Sequence, residues 1–167
     1  PYSETDSGVE IRLLKHLFSP AEAEIALYLN ILPETLPRIH RRLRKNDITI
    51  SIEELEKVLD NLVQKGAIIG GRAFEAKGKG NQYSLAPLAI GMFEFQVNRL
   101  TEDYVHDFEQ YTKEKFQKEM FSANTLQIRT IPIGQAITPE MRIEPYNDMK
   151  KYVEGLRDDI AVMNCVC

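Results

Sequence analysis

Tryptophan is absent from this chain, histidine occurs only three times, and the two cysteines, Cys165 and Cys167, are confined to its last three residues. Two thiols at one end cannot staple a fold, which excludes a disulfide framework. The histidines, His16, His40 and His106, fall on three different predicted helices without metal-ligand spacing, so scattered core or surface positions are the better reading. No apolar run approaches the roughly 18 residues of a membrane span. The opening stretch, Pro1 to Gly8, is polar and acidic rather than a signal peptide. A cytoplasmic chain with no membrane partner is expected. A phosphate-cradling loop is missing too, because Gly78-Lys79-Gly80 reads as a hairpin tip rather than a strand-to-helix turn. There is no nucleophile elbow. The acid pairs Glu102-Asp103 and Asp158-Asp159 are sequence neighbours, which do not face each other on a helix. Nothing here supports catalysis, and the chain is expected not to be an enzyme. A dominant charge of one sign is lacking as well. Against 25 acids stand 21 lysines and arginines, a formal net charge of −4, so nucleic-acid binding would need a local basic patch.

What is present begins with helix-start signals. Ser7-Gly-Val-Glu10, Ser19-Pro-Ala-Glu22 and Ser51-Ile-Glu-Glu54 all match a capping box, in which a serine side chain and a glutamate satisfy free backbone N–H groups. They predict helices over about 8–17, 20–30 and 51–65. A further helix over 36–45 carries the stripe Leu36, Ile39 and Leu43. Two short strands around a Gly/Lys tip, from Ala67 to Leu85, predict a β-hairpin closed by Pro87. Helices followed by a hairpin give the winged-helix order. Beyond Pro87, Val97, Leu100, Tyr104, Phe108 and Tyr111 recur at helical spacing and predict an aromatic-rich helix over roughly 89–120, with a break near Thr101 compatible with the pattern. Leu126 to Ile131 reads as a strand, Pro145 opens a helix with the stripe Tyr146, Met149, Val153 and Leu156, and Ile160 to Met163 is a short apolar run. The expected fold is mainly α with a small β part: a winged helix-turn-helix domain over 1–87, a long amphipathic helical connector over 88–121, and a small α/β extension over 122–167 that leads into the cysteines.

Two clusters carry candidate chemistry. Arg38, Arg41, Arg42 and Lys45 share one helix face, with Arg44 and His40 nearby, and the hairpin adds Arg72, Lys77 and Lys79. Together they form a plausible phosphate-binding footprint for DNA. The alternative is a solvated face paired with nearby acids. The helix that would enter a major groove, 51–65, opposes base reading: it carries Glu53, Glu54, Glu56 and Asp60 against Lys57 and Lys65, and Ser51, Asn61 and Gln64 are its only neutral polar candidates. A protein-interaction module that keeps the shape and has lost the readout is therefore expected, and a homodimer through residues 89–120 is a weaker alternative. Cys165 and Cys167 form a C-x-C pair, which taken alone is a weak sign of metal binding, since zinc and iron–sulfur sites take four ligands. Incidental thiols are the alternative. The start at Pro1 and the stop inside Asn164-Cys-Val-Cys167 suggest part of a longer protein.

The stretch from Thr5 to Glu24, TDSGVEIRLLKHLFSPAEAE, resembles the opening of a family of 4Fe–4S ferredoxin-type proteins with a winged-helix-like N-terminal region. Ala86 to Arg99 is similar to that family's segment after the wing, and the tail from Pro145-Tyr146 to Cys167 resembles its entry into a cysteine-bearing region. The resemblance runs along essentially the whole chain, in order. It implies iron–sulfur binding and electron transfer, with Cys165 and Cys167 at the family's first cysteines. No cofactor is expected in this chain alone; the 4Fe–4S cluster is implied for the full-length protein, with a redox partner protein or its own downstream iron–sulfur domain as partner. A winged-helix, DNA-binding transcriptional regulator responsive to redox state is the second expectation.

Overall fold

The structure is a computed structural model that describes residues 3–71, 80–122, 153–155 and 164–165. Pro1–Ala123 with Asn164–Cys167 form one compact unit, and Asn124–Met163 a second. Of the second, residues 153–155 are described; they are helical, within the helix expected after Pro145. The expected strand at 126–131, the apolar run at 160–163, the hairpin tip at 72–79 and Cys167 lie outside the described residues.

The first unit is mainly helical with a small three-stranded antiparallel sheet, in agreement with the expected α+β class. Helix α1 spans Val9–Leu17, not from a Ser7 cap. A turn closed by the Gly8 N–H on the Thr5 carbonyl places Thr5 beneath the helix start. Its hydroxyl accepts from the Val9 N–H at 3.2 Å and donates to Glu10, while Ser7 turns away to Glu114 at 2.8 Å. Helix α2, Pro20–Ala26, has the full box of Ser19 and Glu22 with Pro20 in the first turn, but stops short of residue 30. The chain tightens through the Tyr28 and Leu29 N–H groups and is then tied to the sheet by the Leu85 N–H on the Asn30 carbonyl at 2.8 Å. That tie allows a strand absent from the sequence reading, β1 (Glu34–Thr35).

Helices α3 (Leu36–Lys45) and α4 (Ile52–Gln64) match the expectation. Leu36, Ile39 and Leu43 face Leu55, Leu59 and Leu62 in a core that also takes Val9 and Leu13 of α1. Strands β2 (Ile68–Gly71) and β3 (Gln82–Leu85) pair as a hairpin, and β1 joins the other edge of β3, giving the order β1-β3-β2.

A single helix over 89–120 does not form. Residues 88–101 instead make a turn at Leu88–Met92, with Ile90 left-handed at φ 53°, and a short 3-10 turn at Glu94–Gln96. The competing interaction is a cap on α4. Gln96 Nε2 donates to the Lys65 carbonyl at 2.8 Å, and Arg99 donates to the Gln64 carbonyl. These side chains satisfy carbonyls that a helix end leaves open, and a straight helix from 89 would not deliver them. Helix α5 (Glu102–Tyr111) begins only at Thr101, whose hydroxyl accepts from the Tyr104 N–H at 3.3 Å. A wide turn at Thr112–Phe116 leads into α6 (Gln117–Ser122). Helix α5 packs along α1, with Tyr104 and Tyr111 buried and Phe108 stacked on Phe93 at 3.9 Å between ring centres. Of the stripe on which the homodimer expectation rested, Tyr104, Phe108 and Tyr111 pack within the chain, whereas Leu100 is exposed. Among the described residues no helix is long and apolar enough to cross a membrane.

Candidate functional site

Helix α3 presents its cations in two ways. Glu34 of β1 is buried and draws Arg42 Nη2 to 2.7 Å, Arg38 Nε to 2.9 Å and Asn30 Nδ2 to 2.8 Å. Arg42 also donates from Nη1 to the Tyr28 carbonyl at 2.6 Å. A carboxylate that far from water needs such partners, so Arg42 is a structural cation that fastens the α2–β1 connection to α3. The paired-face alternative therefore describes Arg42, and in part Arg38, whose side chain is still 71% exposed. Arg41, Arg44 and Lys45 are exposed and take part in none of the ion pairs among the described residues. His40 is structural, its Nε2 lying 2.8 Å from the Ile50 carbonyl. Arg72, Lys77 and Lys79 lie outside the described residues.

The polar face of α4 is largely engaged within the chain. Asp60 accepts from the Tyr83 hydroxyl at 2.7 Å and Glu56 from Asn81 at 3.0 Å. Asn61 and Lys65 both turn to Glu22, at 3.0 and 2.6 Å. Ser51 is committed as the cap, and its backbone N–H and hydroxyl hold the Glu54 carboxyl below the usual carboxylate range. Of the neutral side chains that would read bases, only Gln64 is left without such a commitment, and two carboxylates, Glu53 and Glu54, stand in the first turn.

Cys165 is exposed, and its neighbour Asn164 donates to Asn98 Oδ1 at 2.7 Å, next to the turn that caps α4. Among the described residues no group of three or more His, Cys, Asp or Glu side chains is placed to hold a metal. Two cysteines are half of the four thiolates an iron–sulfur cluster takes, so this chain's own set does not complete such a site.

Two features escaped the sequence reading. The first is Asp107, buried between α5 and α1, with Arg12 Nε at 2.9 Å and His16 Nε2 at 3.1 Å. Burial pushes its carboxyl up, but the hydrogen bonds and charges of Arg12 and His16 prevail and hold it below its ordinary range. The i, i+4 spacing of Arg12 and His16 was the available signal; their partner lies 95 and 91 residues away. They line an open cleft of about 440 Å³ together with Lys15, Asp103 and His106. No nucleophile lines it, and each nitrogen of the Arg12 guanidinium already donates within the chain, to Asp107, Gln110 and the Ser7 carbonyl. The second is the loop after α2, where Leu27, Ile31 and Leu32 project into solvent at 83, 80 and 76% exposure.

No protein-family model, curated protein or solved structure matches the chain.

Proposed function

We propose that this chain is a non-catalytic winged-helix interaction module of a ferredoxin-type 4Fe–4S protein, working in the cytoplasm. The observation that carries the docking role is the state of α4. Apart from Lys57 and Gln64, its polar side chains are acidic or bound internally, so the element that a winged helix would lay in a DNA groove has little left to read with. The winged-helix reading is supported by the element order α1-α2-β1-α3-α4-β2-β3 and by the sheet order β1-β3-β2. The redox half of the proposal is supported by the resemblance and by the exposed Cys165, and it requires further cysteines from outside this chain. When bound, a 4Fe–4S cluster supplies one-electron transfer.

The test is iron and acid-labile sulfide per chain on the full gene product purified without oxygen. Several iron atoms per chain are expected; none after reconstitution would sink the redox half. DNA binding is the second reading, kept by the exposed Arg41, Arg44 and Lys45. A gel shift in low salt decides it, since a backbone-driven complex weakens steeply as salt rises. No shift is expected.

A further inference from the structure

We propose that the loop after α2 and the neighbouring edge of α3 form one docking face for a short acidic amphipathic segment of a partner protein. The proposal rests on reading the chain as an interaction module and names the surface and the chemistry of its partner. Leu29 anchors the loop in the core, and the Asn30 carbonyl is fixed to β3 by the Leu85 N–H, so the loop is held from behind. The same anchorage leaves Leu27, Ile31 and Leu32, three aliphatic side chains within six consecutive residues, at 76–83% exposure. Arg42 binds the Tyr28 carbonyl and shares Glu34 with Arg38, which sets this loop directly against the Arg38 side of α3. Lys45 and Arg41 lie next around the helix, so Arg38, Arg41 and Lys45 run at i, i+3 and i+7 as a basic row about 10 Å long. An apolar knob beside a basic row complements a helix with leucine-like residues on one stripe and carboxylates along its flank.

Charge decides between occupants. Helix α3 carries five cations and no acid of its own, and two of the five are paired with Glu34, so a chain of total charge −4 carries −9 outside that helix. A membrane or a DNA duplex extends beyond the patch toward the exposed acids that follow α3 in the chain, Asp47, Glu53 and Glu54, whereas a short segment covers the patch alone. A second copy of the chain would set the basic row against itself. Three aliphatic side chains are also far fewer than the roughly 20 residues a side of a stable interface.

The experiment follows backbone amide NMR shifts of the chain. The probe is a synthetic 18-residue helix with leucine on one stripe and glutamate on its flanks, and the control is its lysine counterpart. Shifts confined to residues 27–32 and 38–45 are expected with the glutamate peptide. Leu27→Ser with Ile31→Ser and Leu32→Ser should weaken binding about tenfold or more, and Arg41→Glu with Lys45→Glu should switch preference to the lysine peptide. All these positions are exposed, and an unchanged thermal midpoint verifies that the variants fold. Absence of shifts at millimolar peptide, shifts elsewhere, or equal binding of both peptides overturns the proposal. So does saturation of the same residues by phosphatidylglycerol vesicles or a 25-base-pair duplex in preference to the peptide. Iron in the full gene product without peptide binding would overturn this face and leave the iron–sulfur reading standing; binding without iron would do the reverse.

Discussion

Two tyrosines show how differently one hydroxyl can behave in one core. Tyr83 is buried and donates to Asp60 at 2.7 Å, and burial followed by the Asp60 bond raises its pKa. Tyr104 is equally deep, but its hydroxyl has no hydrogen-bond partner among the described residues, and burial followed by the Glu94 charge pushes it up to about 12. Removing the first hydroxyl leaves a carboxylate without its donor, whereas removing the second relieves an unmet desolvation cost. Tyr83→Phe should therefore lower unfolding free energy by about 1–3 kcal/mol, and Tyr104→Phe should be neutral or raise it by about 1 kcal/mol. Urea titrations of both variants check the pair, and a larger loss for Tyr104→Phe would contradict it. The same logic separates the arginines of α3. Arg42→Ala strips two bonds from Glu34 and Tyr28 and should cost about 2–4 kcal/mol, because a buried charge loses its main partner. Arg41→Ala, exposed and without an ion pair among the described residues, should stay within about 0.5 kcal/mol. Equal losses in the two variants would mean that Arg42 is not the fastener it is taken to be.

Helix ends account for both what could be read from the sequence and what could not. The boxes at Ser19 and Ser51 were legible because every group they use lies within three residues. The stripe of α3 and the strands of the hairpin were legible for the same local reason. Helix α1 missed its predicted cap by two residues because the choice between Ser7 and Thr5 is made by Glu114, on a segment more than a hundred positions away. Strand β1 has only two residues, too few to show alternation, and exists because β3 offers it an edge. Residues 88–101 looked helical by spacing, yet their polar side chains are drawn to the end of α4. Of the candidate site, the basic residues could be read off a helical wheel; their division by Glu34, and the exposed loop beside them, are tertiary facts. The glycines at the two kinds of helix end allow a test. Gly66, after α4, has φ 69°, and a Cβ there would lie 2.5 Å from Phe95 Cβ and 2.8 Å from Gln96 Nε2. Gly8, before α1, has φ 65° with nothing within 4 Å. Gly8→Ala should cost about 1 kcal/mol for the left-handed backbone alone. Gly66→Ala adds a clash with the segment that caps α4 and should cost roughly 1–3 kcal/mol more. Thermal melts of the two variants measure the difference, since equal midpoints would leave no room for the clash.

At the scale of the whole unit, two carboxylates tie together helices that are distant in the sequence and a third fastens the start of α1. Asp107 joins α5 to α1 through Arg12 and His16; Glu22 joins α2 to Lys65 and Asn61 at the end of α4; Glu10 holds Thr5 across the start of α1. All three stand below their ordinary pKa. For Asp107 and Glu22, burial acts in the opposite sense and is outweighed by cationic and hydrogen-bonding partners, whereas for Glu10 the Thr5 hydroxyl is the largest cause. A carboxylate depressed in the folded state contributes stability that is present above its unfolded pKa, about 3.9 for Asp and 4.3 for Glu, and is lost as pH falls through the folded value. In that window the unfolded chain binds protons that the folded chain refuses, so stability drops with falling pH at about 1.4 kcal/mol per pH unit for each group still refusing a proton. Asp107→Asn removes one of those groups. It should cost about 1–2 kcal/mol at pH 7, kept modest because Arg12 is 43% exposed and stays hydrated. The deficit should shrink toward acid, because protonation abolishes the same clasp in the parent chain. Urea midpoints of the parent and of Asp107→Asn from pH 7 to pH 3 should therefore converge as the pH falls. Parallel curves would mean that the carboxylate contributes nothing through its charge, and that α1 and α5 are held by Tyr104, Phe108 and Tyr111 and by the Arg12–Gln110 bond.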